Sequence, residues 1–526
     1  MNKVISNIRL RIARMIAPRR PARPEAGMRM YQAAKSSRLT EGFGSSGNSS
    51  ADAELQSSHT PLRSRSREVI RDAGYAKRAK TIVVNNVIGS GIGMQAQVKT
   101  SRGDLNRRIN ADIETAWEEW CRATNCHTGG VLHFSDIEQF AMGQVFEAGE
   151  CIIRKHYRPF GESSIPYALE VIESERLISD RQPSPLDPTA RIRMGVELDK
   201  FHRPIAYWIR TIHPGDTQFA PGDQNQIERV PADQIIHLKL TERWPQTRGV
   251  PWLHTALRKV YDMDGYTEAE IIRARSEANR VAALKTSRPY GEEVKDAQGN
   301  TISRQVSQEA GTVEILYDDE EMQYPAPASP NPTADPFLRF LLREVAAGTG
   351  PSYESLSRDY SQSNYSSSRQ GILEDRDLWR IYQMWFLRSF RYPVHREWMQ
   401  QAVFSRNITS IPIEQYALDT AKFIAVRFKP RGWTWVDPTK EVAAYKEAEK
   451  AGYITKTQII AQTASGMDHE DMMDERKNEL EYQEGLDLAF DTDPEAYKQQ
   501  QPAASPKPKT EGEEDTWTAQ GGKKNA

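Results

Sequence analysis

Four side chains with zinc-ligating chemistry, Cys121, Cys126, His127 and His133, crowd into one short stretch. Their spacing, C-x4-C-H-x5-H, is not a familiar finger pattern and has no paired second half, and Cys121 shares an apolar helical face with Trp117. Packing is therefore the expected role. Gly89, Gly91 and Gly93 form G-x-G-x-G without a βαβ flank or an acidic residue about twenty positions on, which does not suit a dinucleotide. No G-x-x-x-x-G-K-[ST] occurs anywhere, so any nucleotide-driven motor has to be a separate chain. The acidic runs Asp318–Glu321 and Asp468–Asp474 point successive carboxylates in different directions, as a solvated face does and a two-metal nuclease does not. No Ser-His-Asp or Cys-His set has supporting context. The expectation is a chain without catalysis, cofactor or metal.

The elements around these residues read as a mixed α and β chain. Ile113, Ala116, Trp117, Trp120 and Cys121 fall at helical spacing, and Ser135 with Glu138 predicts a capped helix that Gly149 ends. Strands follow at 151–158 and 167–177, a hairpin joins 192–198 to 204–212, and 234–240 closes the block. From 252 to 283 there is no proline and one glycine, Gly265, which predicts a long helix. Short strand signals punctuated by Gly and Pro occupy 289–336. Helix resumes over 337–347, ended by Gly348 and Gly350. A second long helix runs to about residue 400, with Ser367 and Gln370 at capping-box spacing and Pro393 expected to kink or end it. Helices at 438–451 and 456–464 have Asp437 and Thr455 as N-caps.

The 526 residues allow several domains. The apolar share is about 40% when Gly is counted and Tyr left out, below the usual ~45–50%. Disordered ends and a thin fold that buries surface against neighbouring subunits both account for that. Charge is balanced, 70 basic against 72 acidic residues, which excludes a simple polycation. Three cysteines exclude a disulfide scaffold. No window approaches the length of an apolar membrane span, and the basic, interrupted start does not read as a signal peptide.

The segment YESLSRDYSQSNYSSSRQGILEDRDLWR (353–380) closely resembles the most characteristic stretch of the lambda-type phage portal proteins. NNVIGSGI (85–92), MGVELDKFHRPIAYWI (194–209) before HPGD, RVPADQIIHL (229–238), QTRGVPWL (246–253) and WVDPTKE (435–441) match in the same order. His202 stands where relatives usually carry glycine in the hairpin turn, a position His tolerates better than most residues. The resemblance implies an α+β portal fold with a mixed α/β wing, a two-helix stem, a small β-containing clip, a helical crown and disordered termini. On this sequence that places a basic disordered arm at 1–60, wing at 61–251, stem helix at 252–283, clip at 284–336 and second stem helix at 337–348. The tunnel loop is 349–366, the long wing helix and wing return 367–436, the crown 437–485 and the disordered tail 486–526.

The implied role is a ring, usually of twelve copies, at one capsid vertex of the virion, assembled in the host cytoplasm. It would conduct double-stranded DNA and meet the terminase large subunit, head–tail connector proteins, and major capsid and scaffold proteins, with no membrane. A DNA-processing enzyme of the packaging machinery, or a head–tail adaptor or minor capsid protein without a channel, are the alternatives. In the tunnel loop Arg358, Ser361, Ser363 and Asn364 are the DNA-facing candidates, because hydroxyls and one cation suit a sliding contact better than a lysine cluster does. Arg273 and Arg280 share a face of the long helix. Pairing with Glu268, Glu270 or Glu277, or between subunits, weighs above DNA contact for them.

Overall fold

The computed structural model describes residues 49–179, 191–216, 226–278, 283–286, 298–299, 320–323, 331–433, 438–463, 469–486 and 488. Arg280, Asp318 and Asp437, with most of the two terminal segments and of the expected clip, lie outside them.

Helix α1 (Ala51–Asp72) starts ten residues before the expected opening of the body at Pro61, and Pro61 lies inside it. Leu55 and Ile70 are buried along one face together with Asp52, His59 and Arg63, so this stretch is anchored by burial and is not part of a disordered arm. Helix α2 (Gly74–Val87) comes next, and its apolar residues Ile82, Val83 and Val87 enter the core. A turn through Gly89 (φ 69°) and Gly91 (φ 125°) then leads to β1 (Gly93–Ala96). A Cβ on Gly91 would stand 3.0 Å from that of Ser135, so the glycine motif serves a close approach of the turn to the next helix.

Helix α3 (Arg107–Trp120) is capped by Asn106, whose side chain accepts from the Ile109 N–H at 3.2 Å. The cap of α4 (Phe134–Ala148) is His133, with Asp136 completing the box. This corrects the Ser135 and Glu138 assignment: Glu138 is instead fully buried and is committed to an ion pair with Arg391. Gly149 (φ 88°) ends α4, and its missing side chain admits Val250, whose carbonyl carbon would lie 2.4 Å from a Cβ.

The strands between residues 150 and 239 form two antiparallel sheets. β2 (Glu150–His156) lies between β3 (Ala168–Ile172) and β8 (Ile235–Lys239). The second sheet is a meander of β4 (Arg191–Arg193), β5 (Val196–Leu198), β6 (Pro204–Arg210) and β7 (Ile227–Pro231). Residues 192–198 are therefore not one strand. Met194 (φ 45°) and Gly195 (φ 84°) fold them into a hairpin of their own. His202 adopts φ 63° in the β5–β6 turn, the left-handed conformation its position required. Ile152, Ile172, Leu177, Val196, Tyr207, Ile209 and Val230 pack together from both sheets.

Helix α5 (Leu257–Ala278) comes after a short 3-10 turn over Trp252–Thr255. β9 (Ala283–Thr286) and β10 (Glu320–Gln323) pair antiparallel, and α6 (Ala334–Thr349) returns along α5. The two helices are joined by Met263, Leu341 and Leu342, by Tyr266 edge-on to Phe337, and by Lys259 with Glu344 at 2.8 Å. Helix α7 (Tyr353–Ser357) leads to α8 (Tyr365–Phe386). Pro393 neither ends the helical run nor sharply interrupts it: a π-helical turn over Leu387–Arg391 precedes α9 (Tyr392–Phe404). A wider turn before a proline spares its ring the clash with the carbonyl four residues back. β11 (Val426–Lys429) pairs with β1. α10 (Pro438–Lys450), α11 (Lys456–Thr463) and α12 (His469–Gly485) complete the described residues. Thr455 and Gln458 form the capping box of α11, while α12 lacked an apolar stripe to announce it. Among the described residues no helix is long and apolar enough to cross a membrane.

Candidate nucleic-acid interface

The segment between α6 and α8 is half anchor and half exposed tip. Ser352 donates to Asp375 of α8 at 2.8 Å, and Leu356 is fully buried. The Arg78 guanidinium donates to the Ser355 carbonyl at 2.9 Å and ties α7 to α2. Tyr353 is half-buried, with the Arg343 guanidinium 5.3 Å from its ring and its hydroxyl donating to Asp359 at 3.0 Å. Arg358 then takes φ 59° and its N–H closes the helix onto the Glu354 carbonyl. That left-handed residue throws the chain outward.

Beyond it Tyr360, Ser361, Gln362 and Asn364 are exposed and Ser363 is half-exposed. Ser361 gives its hydroxyl hydrogen to Asp359 at 2.6 Å, and Ser363 gives its own to the Tyr360 carbonyl at 3.0 Å. Asn364 is the N-cap of α8, accepting from the Ser367 N–H at 2.8 Å, with Ser367 completing the box. The helix thus starts three residues before the Ser367 cap expected from spacing. The Asp359 carboxyl is held down at about 2, chiefly by the Ser361 hydroxyl and N–H and the Tyr353 hydroxyl, so it stays an acceptor for this turn. The hydroxyls therefore shape the tip, and Arg358 is its exposed cation, without an ion pair among the described residues.

On α5, Arg273 pairs with Glu270 at 3.2 Å along the helix. This is the intrahelical pairing that outweighed DNA contact in the sequence. Cys121 and Cys126 are buried, and the Cys126 thiol donates to the Cys121 carbonyl at 3.3 Å. His133 serves as the cap of α4.

Two buried ionic clusters escaped the sequence reading altogether. Glu150, fully buried at the start of β2, accepts from the Arg248 Nε (2.8 Å), the Gly249 N–H (2.8 Å), His237 Nε2 (2.9 Å) and the Ser174 hydroxyl. His59 of α1 stands 3.7 Å away. Glu138 receives Arg391 at 2.5 and 3.0 Å, and that guanidinium lies 4.9 Å from the Phe134 ring and 5.1 Å from Phe428. Only folding gathers these partners, which stand 98 and 253 positions apart.

Burial sets an acid limit on the body. It lowers His59 from 6.5 to about 4 against the pull of Glu150, and lowers His395 to about 3, aided by Arg391. Burial also lowers His237, while Glu150 opposes it. For Glu150 itself burial pushes upward, yet Arg248 and His237 outweigh it and hold the carboxyl well below its usual range. The unfolded chain takes up protons near pH 6.5 that these folded histidines refuse, so stability falls as pH drops from there towards 4. Glu150 adds a further loss below its ordinary 4.5. His59 alone accounts for roughly 3 kcal/mol. Melting temperature is expected to hold steady from about pH 8 to 7 and to decline below about 6.5. A His395→Phe variant, which keeps the ring beside Trp117, Trp398 and Phe428, is expected to flatten the slope. A melting temperature unchanged down to about pH 4.5 contradicts this account.

The family model for phage portal proteins of the lambda family matches residues 36–383. The chain belongs to the lambda family of phage portal proteins. Portal proteins are structural components of the virion and not enzymes. Over 466 residues the chain is 29% identical to the "Probable portal protein" of Halomonas phage phiHAP-1, covering 84% of each. It is 20% identical to the portal proteins of Escherichia phage N15 and of Escherichia phage lambda, covering 68% of this chain and 72% of each of theirs. Among solved structures, the neck of an empty gene transfer agent particle aligns with TM-score 0.41 at 13% identity, over 76% of this chain and 91% of that one. The native particle's neck gives TM-score 0.41 at 12% identity, over 76% and 94%.

Proposed function

We propose that this portal chain closes into a ring of twelve copies at one capsid vertex and that double-stranded DNA passes through its centre. In this reading α5 and α6 are the stem, β9 and β10 belong to the clip between them, 349–366 is the tunnel loop and α10–α12 form the crown. The two sheets, with α1–α4, α8 and α9, make the wing. The terminase large subunit docks on the ring during packaging and head–tail connector proteins replace it, with major capsid and scaffold proteins around it. Assembly takes place in the host cytoplasm.

The observation that carries the ring is the set of apolar side chains left in water on the paired helices and on α8. Tyr261 is 71% exposed, Ile272 57%, Phe340 55% and Ile381 64%. Single exposed apolar residues are ordinary, but several large ones on three helices mark surfaces that assembly covers. They also account for the low apolar share of the chain, because part of each protomer's core is supplied by its neighbours. Negative-stain imaging of the purified full chain, with mass measurement, is expected to show rings with a central hole. Monomers or irregular aggregates across concentrations would remove the channel and leave an adaptor or minor capsid role.

A further inference from the structure

Two surfaces of the protomer expose apolar side chains beside charges of opposite balance. The first is a groove between α1 and α5, a cavity of about 700 Å³ whose walls include Leu62, Val69, Leu257, Val260 and the exposed Tyr261. Its charged residues are Glu68, Asp72 and Asp264 against Arg65 and Arg258, a surplus of carboxylate. Arg258 already faces Asp262 at 3.7 Å along the helix.

The second is a ridge on α8. Leu373, Asp377, Arg380, Ile381, Met384 and, on the π turn, Arg388 are all exposed. Their spacing of three and four residues puts them on one stripe. Leu373, Ile381 and Met384 expose 40%, 64% and 46% of their surface. On the ridge Arg380 already pairs with Asp377 at 2.9 Å, which leaves Arg388 as the surplus cation, opposite in sign to the groove. Both surfaces are open in one protomer, so ridge and groove do not meet within a chain. Two different faces of one chain that fit each other give a head-to-tail contact, the type that generates rings.

We propose that the α8 ridge of one copy seats in the α1–α5 groove of the next, with Ile381 and Met384 against Leu62 and Tyr261, and Arg388 towards Glu68 and Asp264. This assignment rests on the ring reading above and adds which faces form the contact. The three native cysteines are buried, so a new pair reports cleanly. The test is the full chain carrying Tyr261→Cys together with Ile381→Cys, oxidised after assembly and run without reductant. A ladder of dimers, trimers and larger species is expected, absent from either single variant, and Ile381→Asp is expected to lose rings at concentrations where the unsubstituted chain forms them. Rings that assemble without a ladder, and that survive Ile381→Asp, overturn the ridge-in-groove contact while leaving the ring itself standing. If the unsubstituted chain forms no rings at all, both fall together.

Discussion

Removal of Ser357–Ser363 is expected to leave rings that still assemble but fail to retain packaged DNA. The cut begins after Leu356, whose buried side chain anchors α7, and ends before Asn364, which caps α8. What goes is the outward excursion, with Arg358 and the turn that Asp359 organises. A surface of serine and tyrosine with one cation grips phosphates weakly and with little salt dependence, which suits a contact that DNA must slide past. A milder change isolates the cation: Arg358→Gly fits the left-handed backbone at φ 59° and is expected to weaken retention without touching assembly. Packaging assays with DNA protection as the readout distinguish the outcomes. If the deletion instead abolishes rings and yields insoluble protein, the segment is structural, and its assignment as the DNA-facing loop is wrong.

Loss of the Glu150 carboxylate is expected to damage the fold more than loss of its partner Arg248. Glu150→Ala leaves a buried guanidinium near Arg63 and His59, and arginine cannot shed its proton to relieve the charge. An uncompensated buried charge of this kind costs about 3–5 kcal/mol. Arg248→Met leaves Glu150 with the Gly249 N–H, the Ser174 hydroxyl and His237, which can take up a proton and become a counter-ion. Thermal unfolding at neutral pH is therefore expected to rank the unsubstituted chain first, Arg248→Met second and Glu150→Ala last. Equal losses for the two variants, or the reverse order, would falsify the idea that this carboxylate holds α1, β2 and β8 together.

How far local chemistry carries can be seen element by element. The end of α4 was visible because Gly149 is a local signal, and the left-handed turn at His202 was implied by the resemblance, whose members usually carry glycine there. Cap positions were displaced, Ser135 for His133 and Ser367 for Asn364, because several polar residues in a row can each accept the first free N–H groups. At Met194 alternation suggested a single strand, and the chain folds back there because Gly195 packs where a Cβ would lie 2.2 Å from the Ile178 carbonyl oxygen, a contact from a distant segment.

The family and the mixed helix-and-strand class followed from short motifs in order, since such motifs encode local backbone shape. The buried charge clusters did not follow from anything local. Glu150, His59, His237 and Arg248 look like ordinary surface residues until folding strips their water, and then only their mutual contacts make burial tolerable. In the same way the long helix gave no sign of which apolar residues it leaves exposed: Leu373, Ile381 and Met384 face outward because Trp379, Phe386 and Leu387 already fill the inner face. Apolar periodicity tells a helix that it must bury a face, and only packing decides whether its own chain or another covers it.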